Sequence, residues 1–165
     1  MLHGAEKEFE KKVAEHELLL HKVCRMYAAN HADRQDLFQE IVIQLWKGYP
    51  KFRGDSKFST WLYRIAINTA ITGLRRKKDF VDSYEPANLP EVRPDDSGRE
   101  NQEEQLGLLY AAIAQLNDIE KAIVMLYMEE RTYEEMEDIL GMSGGALRVK
   151  MVRIKDKLRQ LTKNN

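Results

Sequence analysis

The side chains able to do chemistry in this chain are mainly cations and aromatics, and they are clustered. Arg148, Lys150, Arg153, Lys155, Lys157, Arg159 and Lys163 crowd the C-terminal stretch, opposed only by Asp156. Arg75, Arg76, Lys77 and Lys78 form a second cluster. A third group, KFRGDSKFS at Lys51 to Ser59, interleaves Lys51, Arg53 and Lys57 with Phe52 and Phe58 around a Gly-Asp turn. Cations meet phosphates and aromatic faces stack on bases, so all three groups suit nucleic acid. The loop's composition equally suits two aromatics tucked into a core. No Gly-rich phosphate loop, His-Glu-x-x-His or Gly-x-Ser-x-Gly occurs, and the carboxylates fall on polar helix faces or in one acidic run. The expectation is a binder and not an enzyme, with no cofactor, metal or small-molecule substrate. His16, His21 and Cys24 lie within one turn or two of each other. A soft-ligand site needs about four ligands in paired spacing, so a core-edge histidine and a buried thiol are expected instead.

The whole chain is not basic: 26 Lys and Arg stand against 27 Asp and Glu in 165 residues. Any nucleic-acid binding must therefore come from local segregation of charge. The single cysteine, Cys24, allows no internal disulfide, which fits a reducing cytoplasm. The N-terminus has no apolar signal core, and the run Ala122 to Met128 is too short to cross a bilayer. A cytoplasmic protein without direct membrane insertion is expected.

The elements that must position these groups read as helices. Glu6 to Asn30 predicts a first helix, with Phe9, Val13, His16, Leu20, Val23, Cys24 and Tyr27 on one face. After a polar break, with Asp33 as a possible N-cap, a second helix runs to about Lys47. It has an apolar stripe (Leu37, Phe38, Ile41, Val42, Leu45, Trp46) and a polar one (Gln35, Asp36, Gln39, Glu40, Gln44). Gly48, Tyr49 and Pro50 end it. Ser59 or Thr60 is expected to cap a third helix reaching Lys78. Its buried side is marked by Leu62, Ile65, Ala66 and Thr69, with Trp61 part-buried and Tyr63, Arg64, Ile67 and Asn68 elsewhere on its surface. Cations at its C-terminus suit the helix dipole, and four in a row exceed that need.

From Asp79 to Glu104 three prolines and nine carboxylates against two arginines read as a flexible, charge-extended linker. Beyond it, Leu106, Leu109, Tyr110, Ile113 and Leu116 predict one helix, and Ala122, Ile123, Leu126 and Tyr127 a second, capped by Asn117 or Asp118. Then comes helix, tight turn, helix. Thr132 and Glu135 have capping-box spacing, Met136, Ile139 and Leu140 face inward, Gly141 suits a left-handed end, and Ser143 caps the last helix. Leu147, Met151, Ile154, Leu158 and Leu161 make its apolar stripe. At about 100° per residue, Gly145, Val149, Val152, Arg153 and Asp156 then face outward, flanked by Ala146 and Arg148. The fold class is all-α: two small helical domains joined by a flexible acidic linker, the C-terminal one a helix-turn-helix. Boundaries are expected at 1–79, 80–104 and 105–165. A helix-turn-helix can lay its second helix in a DNA major groove. A stand-alone dimeric regulator, or a helical adaptor with a solvated basic face, would share that pattern.

Two blocks together resemble one family. DLFQEIVIQLW at Asp36 to Trp46 and FSTWLYRIAINTAITGLRRKK at Phe58 to Lys78 are similar to "ED-hydrophobic-x-QE…W" and "aWLyrIArN…D-x-x-R". Leu116 to Gln160 is similar to "LP-x-x-x-R…L…G-x-[ST]-x-x-E-I-A-x-[IL]-L-G-[IM]-S-x-G-[TA]-[VL]-[KR]". Both patterns are those of bacterial RNA polymerase sigma factors of the sigma-70 family, extracytoplasmic-function (ECF) subfamily. The resemblance implies a subunit that binds core RNA polymerase and directs initiation at promoter DNA. It implies core polymerase contacts at Asp36, Gln39, Glu40, Leu45 and Trp46. It implies −10 recognition and melting by Lys57, Phe58, Ser59, Thr60, Trp61, Tyr63, Arg64, Asn68, Arg75 and Arg76, the aromatic loop capturing a flipped base. It implies −35 reading by Thr132, Tyr133, Ser143, Gly144, Ala146, Arg148, Val149, Lys150 and Arg153, with Leu147 assigned to the core by its inward position. Arg148 and Arg153 are candidates for guanine edges or phosphates, and Val149 and Val152 for thymine methyls. Lys155, Lys157 and Arg159 are left to phosphates or solvent. An anti-sigma factor is the implied regulator, and the acidic linker could screen the basic faces by mimicking phosphate. The chain departs from the pattern at Thr72, at Asn117-Asp118 in place of Leu-Pro, and at Gly144-Gly145, where two poor helix formers open the last helix.

Overall fold

The computed structural model describes residues 2–81 and 100–163, with side chains described for 3–74 and 104–163. The chain forms two compact units, Met1–Ala87 and Asn88–Asn165. The described residues are helical or in turns in both. The linker's central part, 82–99, lies outside the described residues, and so does its proposed screening role. Its edges are helical, however. The fourth helix continues to Val81 and the fifth begins at Glu100.

The first unit contains α1 (Leu2–Glu15), α2 (Glu17–Tyr27), α3 (His31–Gly48), a 3₁₀ turn (Tyr49–Lys51) and α4 (Phe58–Val81). The single long helix expected over Glu6 to Asn30 is broken at His16, whose φ of −112° and ψ of 15° leave the helical region. His16 N–H donates to Val13 O, a tightened last turn, and the chain restarts as α2. Asn30 caps α3, not Asp33: its side chain accepts from Asp33 N–H at 2.8 Å. α4 begins at Phe58, earlier than a Ser59 or Thr60 cap would allow.

α2, α3 and α4 pack on one another. Leu20, Val23, Ile41, Leu45, Leu62 and Ala66 are fully buried between them. Each large aliphatic contributes about 2 kcal/mol by leaving water. Because α4 meets two neighbours, its buried arc is wider than one stripe. Tyr63 (1% exposed) and Ile67 are buried, where a one-sided helix would leave them on the surface, while Ile65 and Thr69 are only half-buried. Thr69 Oγ1 donates back to Ile65 O at 2.7 Å, which satisfies the hydroxyl.

The second unit contains α5 (Glu100–Ala114), α6 (Asp118–Met128), α7 (Tyr133–Leu140) and α8 (Gly144–Lys163). α8 touches all three others. Leu147, Met151 and Ile154 are buried against Ala112, Ile113, Leu116, the run Ala122 to Leu126, Met136 and Ile139. The N-terminal half of α5 does not join this core: Leu106 and Tyr110 are exposed, as are Leu108 and, on α6, Tyr127. Asn117 caps α6 in a capping box with Glu120, and Thr132 caps α7 in another with Glu135. Gly141 ends α7 at φ 69°, and Ser143 Oγ accepts from Ala146 N–H at 3.2 Å to open α8. The two glycines at 144 and 145 are already helical.

α6 ends in a Schellman turn: Arg131 N–H donates to Leu126 O and Glu130 N–H to Tyr127 O, both at 3.0 Å. The turn needs a left-handed residue, and Glu130 supplies it at φ 59°. A side chain there costs about 1 kcal/mol, so Glu130→Gly is expected to stabilise the protein by about that amount in thermal or urea unfolding. Glu135 generates a second expectation. The Arg131 guanidinium, 3.1 Å away, holds its carboxyl below the usual range against the opposing effect of burial, and Thr132 helps. Its stabilising effect is therefore present above the unfolded-state carboxylate pKa and is lost as pH falls through the lower folded value. Glu135→Gln should flatten that part of the acid limb of an unfolding curve.

Candidate nucleic-acid interface

The polar stripe of α3 faces solvent. Asp36, Gln39 and Glu40 are exposed, and Gln44 Nε2 donates to Glu40 Oε1 at 3.0 Å. Sequence reasoning missed one member: Ile43, 46% exposed, falls at the i+7 position from Asp36 on the same face. An isoleucine at that spacing on an otherwise polar stripe was the available signal. Trp46 continues the face while its ring packs on Phe9 at 5.0 Å. Leu45, expected at this interface, is fully buried and anchors α3 to the core instead.

Around the turn, the aromatic loop closes into a cluster. Phe52 meets Phe58 edge-on at 5.7 Å, and Trp61 lies 5.1 Å from Phe52 and 5.4 Å from Phe58. All three are half-buried, so each ring is partly packed and partly open to solvent. Gly54 turns the loop at φ 78°. Two further residues arrive from distant sequence. Lys12 Nζ sits 5.4 Å from the Phe58 ring centre and 5.8 Å from that of Tyr49. The His16 ring lies 5.1 Å from Phe58, its Nδ1–H donating to Lys12 O. Nothing in local spacing points from α1 to Phe58. Beside the cluster a groove of about 460 Å³ is lined by Glu8, Lys12, Trp46, Tyr49, Pro50 and Phe52.

Lys57, Arg64 and Asn68 are exposed beside this cluster, and Ser59 is half-buried. Thr60 and Tyr63 are not available at the surface: both are buried where α4 enters the core. Arg75 and Arg76 lie on α4, and their side chains are outside the described residues. His21 stacks on Phe38 at 4.7 Å and pairs with Glu17, and burial pushes the Cys24 thiol up to about 11. These are the surroundings of a packed edge and an inert thiol.

In the second unit, α8 presents Ala146, Arg148, Val149, Lys150, Val152 and Arg153 outward. Val149 is 52% and Val152 62% exposed. Thr132 is exposed but its hydroxyl is engaged in the cap, accepting from Glu135 N–H at 3.1 Å. The Arg148 guanidinium carbon lies 4.9 Å from the centre of the half-buried Tyr133 ring. Three basic residues beyond Arg153 make contacts within the chain. Lys157 Nζ meets Glu120 Oε1 at 3.2 Å, Arg159 pairs with Asp156, and Lys155 lies over Tyr127. All three remain exposed to solvent while making these contacts. Gly144, expected to face DNA, is buried at the crossing of α7 and α8, against Glu137. Glu137 stands where the pattern quoted above has alanine, and that substitution before a double glycine was the available signal for this contact.

Among the described residues no His, Cys, Asp and Glu grouping could hold a metal ion, and no helix is long and apolar enough to cross a membrane.

Comparison with known proteins agrees with both halves of this geometry. Residues 13–80 match Sigma-70 region 2, and residues 106–158 match Sigma-70 region 4. The chain is 31% identical over 166 residues to the ECF RNA polymerase sigma-E factor of Escherichia coli (strain K12), covering 93% of this chain and 85% of that one. It is 24% identical over 153 residues to the ECF RNA polymerase sigma factor SigM of Mycobacterium tuberculosis, covering 93% and 76%. The fold is similar to the sigma factor RpoE, solved with the anti-sigma factor NepR from Bartonella quintana, with a TM-score of 0.77 at 19% identity over 95% of this chain and 98% of that one. It is also similar to CnrH, solved with the cytosolic domain of CnrY, with a TM-score of 0.66 at 21% identity over 97% and 90%. With two helical units, an exposed recognition helix and these relatives, the chain belongs to the extracytoplasmic-function sigma factors of the sigma-70 family, which direct promoter-specific transcription initiation.

Proposed function

We propose a division of this work among three faces of the chain. Asp36, Gln39, Glu40, Ile43 and Trp46 on α3 dock on core RNA polymerase. Lys57, Phe58, Ser59, Trp61, Arg64 and Asn68, with Arg75 and Arg76, hold the opened −10 element. Thr132, Tyr133, Ser143, Ala146, Arg148, Val149, Lys150 and Arg153 meet the −35 element, with Val152 added. Leu45, Thr60, Tyr63 and Gly144 support these faces from behind. The observation that carries the reading is the surface of α8: two exposed valines lie between Arg148 and Arg153, on the side opposite its buried seam. Exposed valines suit thymine methyls, and arginines suit guanine edges and phosphates.

The protein has no catalysis of its own in this reading. It recruits the polymerase and nucleates strand opening, and stacking on the Phe52–Phe58–Trp61 cluster offsets the few kcal/mol of extruding a base. Work at polymerase and chromosome calls for a cytoplasmic location, which is part of this reading. An anti-sigma factor is the regulator we propose. Support comes from the two structural relatives, each solved with a partner, and from the exposed Leu106, Leu108 and Tyr110 on α5, which want covering.

The test is transcription in vitro by core polymerase with the purified chain on genomic DNA, with sequencing of transcript starts. Starts preceded by shared −10 and −35 elements are expected. A footprint on duplex DNA without polymerase, and no co-elution with core enzyme, would favour a stand-alone regulator instead. Within that assay Ile43→Asp should reduce co-elution with core polymerase at least tenfold with an unchanged melting temperature. Val149→Ala should lower −35 discrimination about threefold, the scale of a buried methyl. An unchanged base preference would remove Val149 from the reading face.

A further inference from the structure

Gly144 is the first residue of α8, and nothing about its backbone demands glycine. Its φ lies outside the left-handed region that Gly54 and Gly141 occupy. Its neighbour Gly145 faces open space, with nothing within 4 Å of where a Cβ would stand. At Gly144 the same position is taken. A Cβ there would collide with Glu137 Oε1, and would lie 3.4 Å from Glu137 Cδ and 3.5 Å from Arg148 Nη1. Two charged groups of opposite sign thus converge on the corner that the missing side chain leaves open. One comes across from α7, and the other runs back along α8 from one turn further on, as helical side chains do. The Arg148 guanidinium is at the same time held over the Tyr133 ring, 4.9 Å from its centre. Its lie is therefore set by the aromatic face beneath it and by the carboxylate-bearing chain of Glu137, which itself occupies the place of the missing atom at position 144.

We propose that Gly144 and Glu137 together are specificity-determining positions for the −35 element, acting through the pose of Arg148 and not by touching DNA. This rests on the reading of Arg148 as a groove residue. A methyl at position 144 must displace the Glu137 carboxylate, while its 3.5 Å distance to Arg148 is ordinary contact. Displacing Glu137 pushes a carboxylate out of the α7–α8 crossing and changes the charge beside the Arg148 guanidinium. The base pair that Arg148 reads then loses definition, while the contacts of Val152 and Arg153 one turn further along stay in place. The pair is reciprocal: shortening Glu137 to alanine vacates the corner and makes room for a side chain at 144.

The experiment uses the full chain assembled with core polymerase, transcribing from promoters that carry every single base substitution in the −35 element. Melting temperatures of the free variants are measured alongside. Arg148→Ala first identifies the base pair whose discrimination depends on that side chain. Gly144→Ala is expected to reduce discrimination at that same pair about tenfold, within the span of one bidentate base contact. The other pairs should keep theirs. The double variant Gly144→Ala with Glu137→Ala should restore it, which a loss of helix stability alone would not do. Tyr133→Phe should keep the discrimination and Tyr133→Leu should lose it, a second route that remains open if Gly144→Ala does not fold. Full discrimination in Gly144→Ala, or failure of Glu137→Ala to rescue it, overturns the inference and leaves the reading of Arg148 intact. Retained discrimination in Tyr133→Leu also overturns it. A flat profile for Arg148→Ala overturns both.

Discussion

The second unit depends on one seam. Leu147, Met151 and Ile154 of α8 are buried against α5, α6 and α7, and every residue proposed to meet DNA on that helix is outward because these three are inward. A helix cannot turn one residue without turning all of them, so burial of this stripe fixes the angular position of Arg148, Val149, Val152 and Arg153 together. α4 plays the same part in the first unit, with a harder constraint. It is wedged between α2 and α3, and its buried arc takes in Leu62, Tyr63, Ala66, Ile67, Ala70 and Ile71. Only a narrow strip, with Arg64 and Asn68, is left for solvent. Residues on the same helix thereby divide into those that can meet a ligand and those that hold the ones that can.

Charge is distributed by the same logic. A chain with net charge −1 binds nucleic acid only if its cations are not neutralised internally on the relevant face. Lys157 and Arg159 are each paired with a carboxylate, and Lys155 lies over an aromatic ring. These cations serve the packing of α8 on α6 and the solubility of its distal end. Arg148, nearer the start of the helix, lies over the Tyr133 ring, which orders the guanidinium without consuming its charge or its donors.

The first unit shows how one aromatic surface is assembled from remote sequence. The Phe52–Phe58–Trp61 cluster is local in the chain, but the ammonium and imidazole that border it come from Lys12 and His16. Their placement follows from the break at His16, which lets α1 fold across the turn after α3 while α2 stays in the core. For Lys12 burial opposes its charge, and the Glu8 carboxylate and Tyr49 outweigh that effect and raise its pKa, so it stays a cation beside the aromatic cluster.

The sequence by itself determined the fold class, the helix-turn-helix, its caps at Thr132, Gly141 and Ser143, and the outward face of α8. All of these rest on local rules: periodicity, capping spacing and the conformational preference of glycine. It did not determine how many sides of a helix are covered, because periodicity reports the preferred face and not the number of neighbours. That is why periodicity puts Tyr63 and Ile67 on a surface they do not occupy, and why it leaves open that Tyr110 and Tyr127 stay exposed. The crossing of Gly144 on Glu137, the approach of Lys12 to Phe58 and the pairing of Lys157 with Glu120 were decided only by tertiary structure. Each joins side chains from different helices, and the physical reason is the same in all three: a contact depends on the distance and angle between two axes, which no spacing within one helix encodes.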